Sequence, residues 1–164
     1  MNTDTTTRRA FLLASSSALG ASIAGCLGDS TDDWETDEPL QATTATIYSG
    51  PNCDCCDVYA DYFEDHLEAD LESVVTNDLE SVKAEFGIDP DLRSCHTVEV
   101  DGYVVEGHIP AEVVATLFED EPEIDGIALP GMPAGSPGMG GQKDGTWTVY
   151  ELDATDETSV FSEI

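Results

Sequence analysis

Polar and apolar residues alternate through residues 44–48, a β-branched run that predicts a first strand. Ser49-Gly50-Pro51-Asn52 breaks it. From about residue 55 to 67 the period lengthens. Cys56, Tyr59, Ala60, Phe63 and Leu67 recur every three or four residues, which is the apolar stripe of a helix. Residues 71–76 predict a second strand. Asn77 followed by Glu80 fits a capping box for a short helix, buried through Leu79, Val82 and Phe86 and stopped by Gly87. Residues 97–100 and 103–106, joined by Asp101-Gly102, predict a β-hairpin. Pro110 opens a further helix that turns Val113, Val114, Leu117 and Phe118 inward. A short strand is expected at 127–129, a late one at 147–152 and a terminal one at 159–161. Between them, residues 130–141 form a loop with 3 Pro, 5 Gly and 2 Met in 12 residues.

The order strand, helix, strand, helix, hairpin, helix predicts a single α/β domain of the thioredoxin-like class, a mixed central sheet with flanking helices. Residues 43–164 supply it, long enough for a real core. In that fold a cysteine pair sits where the first strand hands over to the first helix. The segment before the hairpin lies across from it.

The N-terminus predicts an address rather than a fold. Arg8-Arg9 precedes an uncharged run at 10–23, too short to span a bilayer, which takes roughly 20 apolar residues. The run ends in Ile23-Ala24-Gly25-Cys26, similar to a lipobox. Residues 1–25 are therefore expected to be a twin-arginine lipoprotein signal, with Cys26 lipidated. The alternatives are a cleaved, unlipidated signal or an anchor helix. Residues 26–42, rich in Asp and Glu, are expected to be a flexible acidic tether in which Trp34 is a stray aromatic.

Charge then changes the picture. Without residues 1–25, the only cations are Lys83, Arg93 and Lys143 against 34 carboxylates, a net charge of −31. Such self-repulsion works against a compact state unless salt screens it, as molar salt does with a Debye length of about 3 Å. The acid is scattered, so it predicts a solvent-facing coat adapted to high salt. A chain with no basic patch is not expected to bind nucleic acid.

With Cys26 assigned to lipid, Cys53, Cys55, Cys56 and Cys95 remain. Cys53 and Cys56 have the C-x-x-C spacing of redox pairs and soft-metal sites. Cys55 lies inside the pair, which thiol redox chemistry does not require. A helix N-terminus favours thiolates, and crowded thiolates repel each other unless a cation sits among them. Soft sulfur ligands select Cu(I), Zn(II) or iron–sulfur clusters. Metal-free thiol–disulfide exchange is one alternative. A disulfide framework is another, in which a Cys53–Cys56 bridge would leave Cys55 for Cys95.

Cys95-His96 precedes the hairpin and is expected to face this cluster. Thioredoxin-like redox enzymes usually carry a cis-proline there. Arg93-Ser94-Cys95-His96-Thr97 has none and offers ligand-type side chains instead. His108, after the hairpin, is a further candidate ligand or a helix-capping residue. Met132 and Met139 are soft candidates for Cu(I) that could equally pin their loop. His66, among Glu64, Asp65 and Glu68, is expected at the surface. Arg93 is expected to pair with a carboxylate rather than with a thiolate. No catalytic residue and no organic cofactor site is assigned.

The runs Tyr48-Ser49-Gly50-Pro51-Asn52-Cys53-Asp54-Cys55-Cys56 and Leu92-Arg93-Ser94-Cys95-His96-Thr97 resemble the CopG-like copper-resistance family. So do Asp101-Gly102-Tyr103-Val104-Val105-Glu106-Gly107-His108-Ile109-Pro110, Pro130-Gly131-Met132-Pro133 and Gly135-Ser136-Pro137-Gly138-Met139. Many members are catalogued only as a metal-binding domain of unknown function. The resemblance implies a thioredoxin-like fold that binds copper as Cu(I) through Cys53, Cys55, Cys56 and Cys95, with His96, His108, Met132 and Met139 as further ligands. It implies export and association with copper-efflux or copper-resistance systems, and leaves redox handling of copper open. The expected location is the outer face of the cytoplasmic membrane. Thiol–disulfide oxidoreductase and zinc- or disulfide-stabilised interaction module are the rival functions.

Overall fold

The computed structural model describes residues 34, 36, 38–153 and 159–164. The twin-arginine run, Cys26 and the start of the tether lie outside the described residues. Among those described, no helix is long and apolar enough to cross a membrane.

The elements follow the expected order: β1 (Ala45–Ser49), α1 (Asp54–Asp65), β2 (Leu71–Val75), α2 (Leu79–Glu85), β3 (His96–Val100), β4 (Tyr103–Glu106), α3 (Ala111–Asp120), β5 (Gly126–Ala128), β6 (Thr148–Leu152) and β7 (Val160–Glu163). They build one seven-stranded sheet in the order β2-β1-β3-β4-β5-β6-β7. β1 runs parallel to β2 and antiparallel to β3, and β3 is antiparallel to β4. This quartet is the thioredoxin-like core. β5 joins parallel to β4, and β6 and β7 extend the sheet antiparallel.

The pleat sorts side chains between two faces. Ile47, Val98, Val105, Ile127 and Val149 form the main core with Tyr59, Tyr62 and Phe63 of α1 and Val113, Val114 and Leu117 of α3. Val104, Ala128 and Leu152 point the other way, against Ile88, Phe86 and Leu92. The hairpin turns through Asp101 and Gly102 at φ 45° and 90°, a left-handed pair that Asp-Gly accommodates.

Three expectations are corrected. No Asn77–Glu80 capping box forms. Asp78 is the N-cap residue, and its carboxylate accepts a hydrogen bond from the Ser81 hydroxyl. The most buried residue of α2 is Lys83, one turn on from Leu79 on the same stripe, ahead of Leu79, Val82 and Phe86. Trp34 is no stray aromatic. Its indole packs 5.4 Å from that of Trp147 and donates to the Gly135 carbonyl at 2.7 Å, while the Tyr62 hydroxyl donates to the Trp34 carbonyl. Leu40 bridges to Leu67, so the chain before β1 packs onto the domain.

Candidate metal centre

Antiparallel pairing sets Ser49 opposite His96, so the end of β1 and the start of β3 share one edge of the sheet. Cys53 follows β1 as the residue before α1. Cys55 and Cys56 occupy the first turn of that helix, and Cys95 immediately precedes β3. The four sulfurs lie within 4.8 Å of one another. Cys53 and Cys56 are joined as a disulfide with S–S 2.01 Å. Cys55 and Cys95 are free thiols, and the Cys55 sulfur is 3.6 Å from that of Cys53. The bridge therefore takes the C-x-x-C pair without joining Cys55 to Cys95.

Cys95 belongs to a second group as well. Its sulfur lies 2.9 Å from Nε2 of His108 and 3.3 Å from Nδ1 of His96, and these three ligand atoms also fall within 4.8 Å. Nδ1 of His108 faces the Pro137 carbonyl at 2.6 Å. A carbonyl only accepts, so Nδ1 carries the proton and Nε2 presents its lone pair to Cys95. A backbone carbonyl behind an imidazole is the partner that orients metal-binding histidines. Burial pushes the Cys95 thiol up to about 12, and the nearby Cys55 adds to it. Burial also lowers His108 and, more strongly, His96, where His108 and Lys83 add repulsion. Cys95 therefore stands as a thiol hydrogen-bonded to a neutral imidazole. His96 is fully buried against the Tyr59 ring, and its Nε2 has no hydrogen-bond partner among the described residues.

The Pro/Gly loop folds over this group. A Cβ at Gly138 would sit 2.8 Å from the Cys55 carbonyl oxygen and 2.9 Å from the Tyr59 nitrogen, so only glycine lets the loop lie against the first turn of α1. Met139 follows it, half-buried, whereas Met132 is exposed. Arg93 pairs with Glu80 at 2.7 Å and donates to the Ile88 carbonyl. His66 is corrected from surface to buried. Where α1 ends, its ring folds back on Tyr62, with Nδ1 2.7 Å from the Tyr62 carbonyl. The ten residues from Cys56 to His66, at 1.5 Å each about 15 Å of helix, separate it from the cysteines.

Sequence reasoning passed over two residues behind the centre, Lys83 and Glu106, both fully buried and paired at 2.5 Å. The available signal was a cation on the apolar stripe of α2 in a chain almost without cations.

Two solved structures of copper resistance protein CopG share this architecture. Form 2 is 33% identical with a TM-score of 0.66, and the alignment covers 77% of this chain and 99% of that one. Form 1 is 32% identical with a TM-score of 0.67, covering 76% and 98%. The chain belongs to the CopG-like copper-resistance family. The family model described as "Protein of unknown function, DUF411" matches residues 92–139, the stretch from the Cys95 segment through the loop that covers it. No curated protein sequence matches. Membership in the CopG-like family and the cysteine cluster together give the chain a copper-related role.

Proposed function

We propose that the protein binds copper as Cu(I), its cargo, through Cys53, Cys55, Cys56 and Cys95, to sequester it or pass it to a copper-efflux or copper-resistance partner. The observation that carries this is the convergence of four sulfurs within 4.8 Å of one another. Soft, polarisable thiolates favour a soft monovalent ion, and the N-terminus of α1 helps Cys53, Cys55 and Cys56 shed their protons. Exchange with an external dithiol, which leaves as its own disulfide, converts the Cys53–Cys56 bridge into two thiols and makes all four available. Copper then displaces the protons. With few sulfurs to share, more than one Cu(I) requires bridging thiolates. His108 and His96, both within hydrogen-bond reach of Cys95, supply nitrogen donors. Met139, beside Gly138, and Met132 are the outer soft donors of the same loop.

The test is an anaerobic Cu(I) competition titration on single Cys→Ser variants of the reduced protein. Each of the four, Cys55→Ser included, is expected to weaken affinity by about a hundredfold, since a hydroxyl does not replace a bridging thiolate. Wild-type affinity and stoichiometry in Cys55→Ser would sink the shared-thiolate site. The disulfide at the start of α1 favours a second reading, thiol–disulfide exchange. In that case the metal-free protein reduces insulin, Cys53 and Cys56 are essential, and Cys55 is dispensable. A zinc-stabilised interaction module would instead unfold on metal removal.

The same proposal places the protein on the outer face of the cytoplasmic membrane, exported as a twin-arginine substrate and held by lipid on Cys26. Its support is the order of twin Arg, short apolar run and lipobox-like Cys. Cys26→Ser is expected to release the protein from membranes with its copper content unchanged. Retention at the membrane would mean another anchor.

A further inference from the structure

Cys95 and His96 meet the site from a segment with no proline to stiffen it, yet the residues on either side of them are tied to one carboxylate, Ser94 by its backbone and Thr97 by its hydroxyl. Glu106, at the end of β4, is fully buried and sits directly across the ladder from Thr97. Its Oε1 accepts the backbone N–H of Ser94 at 2.5 Å, and its Oε2 accepts the Thr97 hydroxyl at 2.6 Å. Ser94 and Thr97 bracket Cys95-His96, so the carboxylate grips both flanks of the dipeptide. The pleat turns Glu106 and Thr97 towards α2, away from the face that His96 presents to α1. There Lys83 donates to Glu106 Oε1 and to the Thr97 hydroxyl. The Gly107 N–H closes the same frame on the His96 carbonyl at 3.1 Å.

A buried ion pair is a poor device for stability, because desolvation offsets its Coulomb gain. This chain nevertheless commits one of three cations outside residues 1–25 to such a pair, out of reach of the carboxylates it carries elsewhere. We infer that the Lys83–Glu106 pair is the positioning element of the copper site, holding Cys95 and His96 against the Cys53-Asp54-Cys55-Cys56 turn through hydrogen bonds to Ser94 and Thr97. The inference rests on the copper-binding function proposed above. It assigns these residues no contact with copper.

Removing one partner alone strands a buried charge and endangers the fold, so both are replaced. Lys83→Met/Glu106→Met removes the grip and both charges. Lys83→Met/Glu106→Gln restores a neutral grip, in which the amide oxygen accepts from Ser94 and the amide nitrogen donates to the Thr97 hydroxyl. Thr97→Val cuts one flank and leaves the ion pair in place.

Two readouts are taken on variants that melt cooperatively. One is the alkylation rate of Cys95 relative to Cys55 in the metal-free, disulfide-bonded protein, followed by mass spectrometry. The other is Cu(I) affinity after reduction. In the Met/Met variant the Cys95 rate is expected to rise about tenfold and the affinity to fall about tenfold, the lower end of what lost outer-shell partners cost metal sites. The Met/Gln variant is expected to return both close to wild type, and Thr97→Val to shift both in the same direction by less. A purely structural pair would change the melting temperature and leave the Cys95 to Cys55 ratio as it was. That result, in Met/Met or in Thr97→Val, overturns the inference. If the wild type bound no Cu(I) while the alkylation ratio moved as expected, the positioning role would stand and the copper function would fall.

Discussion

Cys95 Sγ and His108 Nε2 approach to 2.9 Å, and the Pro137 carbonyl on the far side of the imidazole fixes the direction of the hydrogen bond between them. The thiol is the donor and the unprotonated nitrogen the acceptor. With burial pushing Cys95 up to about 12, that proton stays on sulfur throughout the physiological range.

Copper binding must therefore expel a proton from Cys95 at any pH below about 12. Affinity is expected to climb with pH, with Cys95 contributing about one tenfold step per pH unit. Cu(I) competition titrations at pH 6.5, 7.5 and 8.5 check this, and Cys95→Ser is expected to lower the slope by about one. An unchanged slope would mean that Cys95 is already a thiolate.

His96 makes a second pH dependence, in the metal-free fold. Its folded-state proton affinity lies well below the ordinary value near 6.5, because the ring is buried beside His108 and Lys83. The unfolded chain takes up the proton first. The stability of the fold is thus complete above pH 6.5 and declines as pH falls below it. The loss is about 1.4 kcal/mol per pH unit for one such histidine. The difference in denaturant unfolding free energy between wild type and His96→Phe, measured from pH 7.5 to pH 5, is expected to follow that slope. A difference that does not vary with pH would show that the histidine protonates in place.

Trp34 reaches across the chain to the loop above the site, through its bond to Gly135 and its packing on Trp147. Trp34→Ala is expected to cost about 3 kcal/mol, as large-to-small changes at buried aromatics do. Denaturant unfolding in molar KCl measures it. A loss below about 0.5 kcal/mol, the range of ordinary surface substitutions, would mean that the indole is not held in solution.

Scattered carboxylates set the salt dependence. With a net charge of −31 outside residues 1–25, the melting temperature is expected to rise steadily from low to molar KCl as repulsion is screened. A flat profile would argue against adaptation to high salt.

Much of this was legible in the chain alone, because it is local. The change of period from strand to helix at residues 44–67, the Asp101-Gly102 turn and the helix after Pro110 are set by neighbours in sequence, and each forms close to where the pattern put it. The order of those elements determined the fold class, and three cysteines in four residues marked the site. What tertiary structure decided is what strands distant in sequence deliver to one place. Antiparallel pairing of β1 with β3 brings Cys95 to the Cys53–Cys56 turn, and the loop at 130–141 brings the Pro137 carbonyl to His108. It also decided which polar groups go inside. Lys83, Glu106 and His66 are residue types that favour solvent, since burying a charge or an imidazole costs free energy unless a partner meets it. Lys83 and Glu106 meet across a sequence separation of 23 residues, and a local pattern carries no record of such a partner.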